Sequence, residues 1–235
     1  ADTCWSAFTN ITDNDWDYYL DYRKSQGFNT LQINILPQWD ASATDLCYEP
    51  FEVIDGKYNY KKINLSYFEH ADKMCARAKE KGFELALVVM WCNFVPDTWA
   101  SQFYSKGVMP IDCIENYINI VHETFTKYDP LYVISGDTDF NTDLCIEHYV
   151  KCAKQLKELA PHCLYTTHIK GRYTYIPDDL YSYLDLCFYQ SGHNAQNLAM
   201  PYLLAEEMID KYKGKPVINS EPCYEDMGYS RQMYG

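Results

Sequence analysis

Short runs rich in Val, Ile and Leu recur along the chain, and segments with apolar residues at helical spacing separate them. From Asp13 onward Trp16, Tyr19, Leu20, Tyr22 and Arg23 repeat every three or four positions, with Thr12 placed to cap a helix and Gly27 to end it. The same spacing predicts helices over 66–81, 112–128, 143–159 and 197–212, and a short segment over 177–183. Strands are predicted over 29–36, 83–91, 131–135, 163–168, 186–190 and 216–221. Residues 37–65, with Pro37, Pro50 and an Asp55-Gly56 turn, read as a long connection too polar for the core, of the kind that builds part of a site.

Repeated strand–helix units without a run of hairpin signals imply a parallel sheet with right-handed crossovers. Six strands and one more at the start predict an α/β fold, a (β/α)8 TIM barrel, with an open doubly wound sheet as the alternative. No Gly-rich phosphate fingerprint follows any strand, which argues against the nucleotide-binding form of that alternative. The 235 residues fit one catalytic barrel domain over 1–235, and the count of strands suggests a start late in strand one and a stop before strand eight.

Composition narrows the partners. A net charge of −13, with no basic block beyond Lys61-Lys62, disfavours nucleic acid and anionic membranes and favours a neutral substrate. No apolar run approaches the roughly 18 residues a membrane span requires, and Ala1-Asp2-Thr3-Cys4-Trp5 does not read as a signal peptide. The ten cysteines show no C-x-x-C pair, so neither a metal nor a cofactor is expected. Several, among them Cys163, Cys187 and Cys223, lie in or beside apolar runs, which suggests reduced thiols and a cytoplasmic setting.

Two strand ends carry the chemistry. Val133-Ile134-Ser135-Gly136-Asp137-Thr138-Asp139 and Val217-Ile218-Asn219-Ser220-Glu221 each pass from a buried run through small residues to an acid. Barrel enzymes place their reactive groups at such ends. Two carboxylates there can flank a glycosidic bond, one protonating the leaving oxygen while the other attacks or activates water. Asp139 and Glu225 stand as alternates to Asp137 and Glu221, and Asp137 also fits a turn or capping role.

The segments Asp2-Thr3-Cys4-Trp5, Gln26-Gly27-Phe28-Asn29 with Leu31-Gln32, Ser135-Gly136-Asp137, Tyr189-Gln190-Ser191-Gly192-His193 and Lys215-Pro216-Val217 through Glu221-Pro222-Cys223-Tyr224-Glu225 resemble the apiosidase-like glycoside hydrolases, a family similar to glycoside hydrolase family 140. The resemblance runs in order over essentially the whole chain. It implies a (β/α)8 barrel with an Asp after strand four and a Glu after strand seven, which map onto Asp137 and Glu221, and a plant pectic or hemicellulosic oligosaccharide as carbohydrate substrate.

Other residues at or near strand ends are candidates for binding. His168 and His193 suit sugar hydroxyls or the catalytic acids, and Gln32 and Gln190 interrupt apolar strands with polar groups that need partners. Trp5 and Trp91 are placed to stack on a sugar, with plain core packing as the other reading. Asp2 is placed to hold a hydroxyl or to end its strand, Tyr224 to tune Glu221, and Glu225 to line the same pocket. The rival functions are a carbohydrate-binding barrel without activity and a metal-dependent hydrolase; a serine nucleophile has no G-x-S-x-G turn to occupy.

Overall fold

The computed structural model describes residues 1–39, 49–192 and 198–224, with the backbone of 227–229 and 232–234. The chain opens with β1 (Asp2–Thr3), a single turn α1 (Ala7–Asn10) and α2 (Asp13–Ser25). Thr12 caps α2 as expected, its hydroxyl accepting the Asp15 N–H at 3.1 Å, and Gly27 ends it at φ +88°, where a residue with a Cβ would be strained. There follow β2 (Thr30–Asn34), β3 (Phe51–Ile54), β4 (Lys57–Ile63), α3 (Leu65–Glu80), β5 (Glu84–Trp91), α4 (Ile114–Phe125), β6 (Leu131–Gly136), α5 (Asp143–Leu159) and β7 (Leu164–Thr166). The last described elements are α6 (Asp178–Tyr181), β8 (Cys187–Gln190), α7 (Met200–Lys211), β9 (Val217–Glu221), β10 (Met227–Tyr229) and β11 (Gln232–Tyr234).

Strands β1, β2, β5, β6 and β7 form one parallel sheet in that order, and β8 and β9 form a parallel pair. The Asp185 N–H, just before β8, bonds the Tyr165 carbonyl of β7 at 2.8 Å, so β8 takes the next place round. The curve is therefore that of a partial barrel with seven parallel strands described. Leu85 through Trp91 are all buried, as a strand covered on both faces requires. Helices α3 and α4 lay Tyr67, Phe68, Met74, Tyr117, Ile118 and Phe125 against its outer face. Among the described residues no strand lies between β9 and β1. A groove of about 520 Å³ separates them, with Trp5, Asn219 and Tyr224 among its lining. Gln32 spans this gap: its side-chain N–H donates to the Ser220 carbonyl at 2.8 Å. Gln32, expected to contact substrate, lines this groove and ties the two edges of the curved sheet together.

The connection over 37–65 departs from expectation. β3 and β4 pair antiparallel about the Asp55-Gly56 turn. Phe51, Tyr58 and Tyr60 are buried, the Phe51 ring 4.9 Å from Tyr60 and 6.2 Å from Tyr117 of α4. The alternation in Tyr58-Asn59-Tyr60, period two, is a half-buried strand pattern that overall polarity concealed. Residues 40–48 lie outside the described residues. Among the described residues no helix is long and apolar enough to cross a membrane.

If the hairpin belongs to the core, Phe51→Ala should lower the unfolding free energy by about 3–5 kcal/mol in urea titration; a loss below about 1 kcal/mol would return it to the surface.

Candidate active site

Strand β6 ends in a turn built around two special backbone positions. A Cβ on Gly136 would lie 2.0 Å from Cε3 of Trp91, so only glycine lets the indole cross the strand end there. Asp137 follows with φ +48°, a left-handed conformation that Asp tolerates better than most residues. Its carbonyl accepts the indole N–H of Trp99 at 2.8 Å, which fixes the turn from the loop after β5. Its carboxylate faces the ends of β8 and β9.

The other acid arrives through an irregularity. β8 and β9 pair Tyr189 with Asn219 but Gln190 with Glu221, a slip that skips Ser220. Paired residues of parallel strands point to the same face, so the slip puts the Gln190 amide beside the Glu221 carboxylate. The Gln190 nitrogen lies 2.8 Å from Oε2 of Glu221, 2.9 Å from Nε2 of His168 and 3.3 Å from Oδ1 of Asp137. One nitrogen thus touches both acids, and the two oxygens it touches can be no farther apart than the sum of those contacts, 3.3 and 2.8 Å, or about 6 Å.

His168 is completely buried and oriented from below. The Ser220 hydroxyl donates to the Tyr189 carbonyl at 3.2 Å and so offers a lone pair to the Nδ1–H of His168 at 3.0 Å. Nε2 therefore faces Gln190 and, at 2.9 Å, Oε2 of Glu221. Two amide protons of Gln190 face three acceptors, so the network is complete when one of the three carries a proton of its own. Tyr224 donates its hydroxyl to Oε1 of Glu221 and accepts the indole N–H of Trp5 at 2.7 Å. The rings of Trp5 and Trp91 enclose His168, at 5.3 and 5.8 Å between centroids.

Burial is the main reason the pKa of Asp137 is pushed up to about 6; His168 opposes it, the negative charge of Glu221 adds to it, and the Gln190 hydrogen bond and Lys170 oppose it. Lys170 pairs with Oδ2 of Asp139 at 3.1 Å, while Oδ1 of this buried carboxylate has no hydrogen-bond partner.

The expected residues divide clearly. Asp137, Glu221, His168, Gln190, Tyr224, Trp5 and Trp91 converge. Asp2 does not: Arg23 holds it at 2.7 Å and Tyr19 donates to it, so its place is in a structural ion pair beside β1. His193 and Glu225 lie outside the described residues. Ser220 and Trp99 were not foreseen; Ser220 is a small polar residue in a buried strand directly before the acid, a usable signal, whereas a tryptophan in a long loop announces nothing by itself. Among the described residues the three-donor group Asp129, His162 and Cys163, the kind that can hold a metal ion, sits before β6 and β7, at the opposite strand ends.

The folded pKa of Asp137 exceeds its ordinary value, so the protonated form is the stabilised one and stability falls as pH rises from about 4 through 6. Asp137→Asn should therefore be more stable than the parent by about 2–3 kcal/mol above pH 6, at about 1.4 kcal/mol per tenfold change in proton affinity, with the gap closing below pH 4. Thermal melts across that range decide it; equal stability at pH 7 would show that the carboxyl is not strained by burial.

Solved structures share this architecture. A glycoside hydrolase family 5 protein from Bacteroides vulgatus is 23% identical, with a TM-score of 0.76 over 96% of this chain and 50% of its own. An endo-1,4-beta-D-mannanase from Thermotoga petrophila is 17% identical, with a TM-score of 0.62 over 96% of this chain and 81% of its own. At such identities the likeness establishes the fold. The chain spans about half the length of the first of these proteins. No curated protein matches it. Residues 1–234 match the family described as Apiosidase-like, catalytic domain, and the chain belongs to that family.

Proposed function

We propose that the protein is a glycoside hydrolase that cleaves a plant-type pectic or hemicellulosic oligosaccharide with retention of configuration. Asp137 is the acid/base and Glu221 the nucleophile. The observation that carries this reading is the single Gln190 nitrogen in contact with both carboxylates. With these oxygens no more than about 6 Å apart, the two carboxyl groups are close enough to flank one glycosidic bond, which supports the retaining arrangement, whose carboxyl groups stand about 5–5.5 Å apart. Family membership supports the reaction class.

Each acid has an environment fitted to its part. Glu221 accepts from the Tyr224 hydroxyl and the Gln190 amide, with the His168 ring alongside, and such donors favour the charged, nucleophilic form. Asp137 keeps its proton to higher pH than an ordinary carboxylic acid and so has one to give. In the first step Glu221 bonds the anomeric carbon as the bond from that carbon to the glycosidic oxygen breaks, and the Asp137 proton passes to that oxygen, which leaves as an alcohol. In the second, Asp137 takes a proton from water, whose oxygen displaces Glu221. Glu221 takes the part of nucleophile because it lies in this network.

Release of reducing sugar from a panel of pectic and hemicellulosic oligosaccharides tests the reading. Asp137→Asn and Glu221→Gln should each lower turnover by at least about a thousandfold. The basic limb of the parent's kcat/KM should fall away near pH 6, where Asp137 loses its proton. Proton NMR of the first product should show the substrate's own anomer. An inverted product would recast Glu221 as a base, and binding without cleavage would favour a carbohydrate-binding barrel.

A further inference from the structure

Three aromatic rings line the rim beside Asp137 without belonging to the acid network. Trp39 follows β2, Trp99 and Phe103 lie in the loop after β5, and Asp137 follows β6, so all stand at the carboxyl ends of strands adjacent in the sheet. Trp39 meets Trp99 edge-on at 5.7 Å and Phe103 at 6.5 Å. Phe103 is 64% exposed and Trp39 41%, while Trp99 is half-buried and anchored through its indole N–H to the carbonyl of Asp137. A side-chain contact of Asn93 with the Pro37 carbonyl and one of Ser6 with Gln38 draw the segment before Trp39 toward the barrel.

Large apolar rings exposed together beside a reaction centre mark a surface that something flat and partly apolar covers. The C–H face of a pyranose ring is such a surface, and aromatic side chains supply its complement at little entropic cost. The position also gives the polarity. The shelf is hinged to the residue that, on the proposed function, protonates the leaving oxygen, so what lies beyond that oxygen lies along the rings. We infer that Trp39, Trp99 and Phe103 form a binding subsite for a pyranose ring of the leaving group. This rests on the proposed function only for the direction of the chain; that a saccharide binds there is independent of hydrolysis.

Titration calorimetry on the Glu221→Gln protein with cellohexaose, mannohexaose and hexagalacturonic acid tests it. At least one of these pyranose chains should bind, and Trp39→Ala and Phe103→Ala should each weaken that binding about tenfold, whereas Tyr18→Ala, an exposed ring on α2 away from the shelf, should leave it unchanged. Thermal melts of the variants guard against a folding effect, which is not expected for exposed side chains. Affinity unaltered by both shelf substitutions, or no binding of any of the three, overturns the subsite. Cleavage is read separately with Glu221 intact: a protein that binds through the shelf and cleaves nothing keeps the subsite and loses the hydrolase reading. With a substrate cleaved by the parent, shelf variants should leave more of that substrate's leaving-group saccharide unbound in competition assays; competition unaltered by the variants contradicts the polarity.

Discussion

The structure turns on bringing two carboxylates to within about 6 Å of one another in a largely water-excluded place. Two like charges there repel, and burial penalises each of them. The protein meets this by placing one amide, Gln190, between them and by surrounding Glu221 with donors, while Asp137 is left to hold its proton to about pH 6. On the proposed function, a carboxyl that holds its proton to about pH 6 beside another surrounded by donors is the condition for acid and nucleophile to act together.

That arrangement depends on backbone features some distance from the acids. The register slip between β8 and β9 sets Gln190 opposite Glu221 and frees Ser220 to hold His168. Without the slip, Ser220 would face the amide and Glu221 would fall on the other side of the sheet. Gly136 allows the Trp91 indole to cross the end of β6 and close one wall of the site. Aromatic walls also lower the local polarity, which strengthens each remaining hydrogen bond and raises the cost of leaving one unmade.

Much of this was legible in the chain. Strands covered on both faces are near-continuous apolar runs, so β5 and β6 and the acid that follows β6 could be found from residue type alone, whereas β9 was found from Val217-Ile218 although Ile218 is exposed and only Ser220 and Glu221 of the strand are buried. The 143–159 helix was bounded correctly because Thr142 caps it, accepting the Cys145 N–H at 3.2 Å, and its apolar face repeats cleanly. The β3–β4 hairpin was missed because two of its three buried rings, Tyr58 and Tyr60, are tyrosines, which read as polar until their burial is known. The partners of Asp2 and Gln32 were not legible, for another reason. A polar residue in a strand announces that it has a partner but not which one, and theirs proved to be Arg23 and the Ser220 carbonyl. The amide shared by both acids was beyond reach, since it depends on a pairing irregularity that has no signature in residue order.

The most direct measurement is the titration of the Asp137 carboxyl, followed by carbon-13 NMR in the parent and in Glu221→Gln. The account predicts a midpoint near pH 6 in the parent, held up chiefly by burial, and a lower midpoint once the charge of Glu221 is gone. A midpoint near 4, or one indifferent to Glu221, would mean that the two carboxyls are neither buried together nor coupled, and the catalytic pair would have to be abandoned.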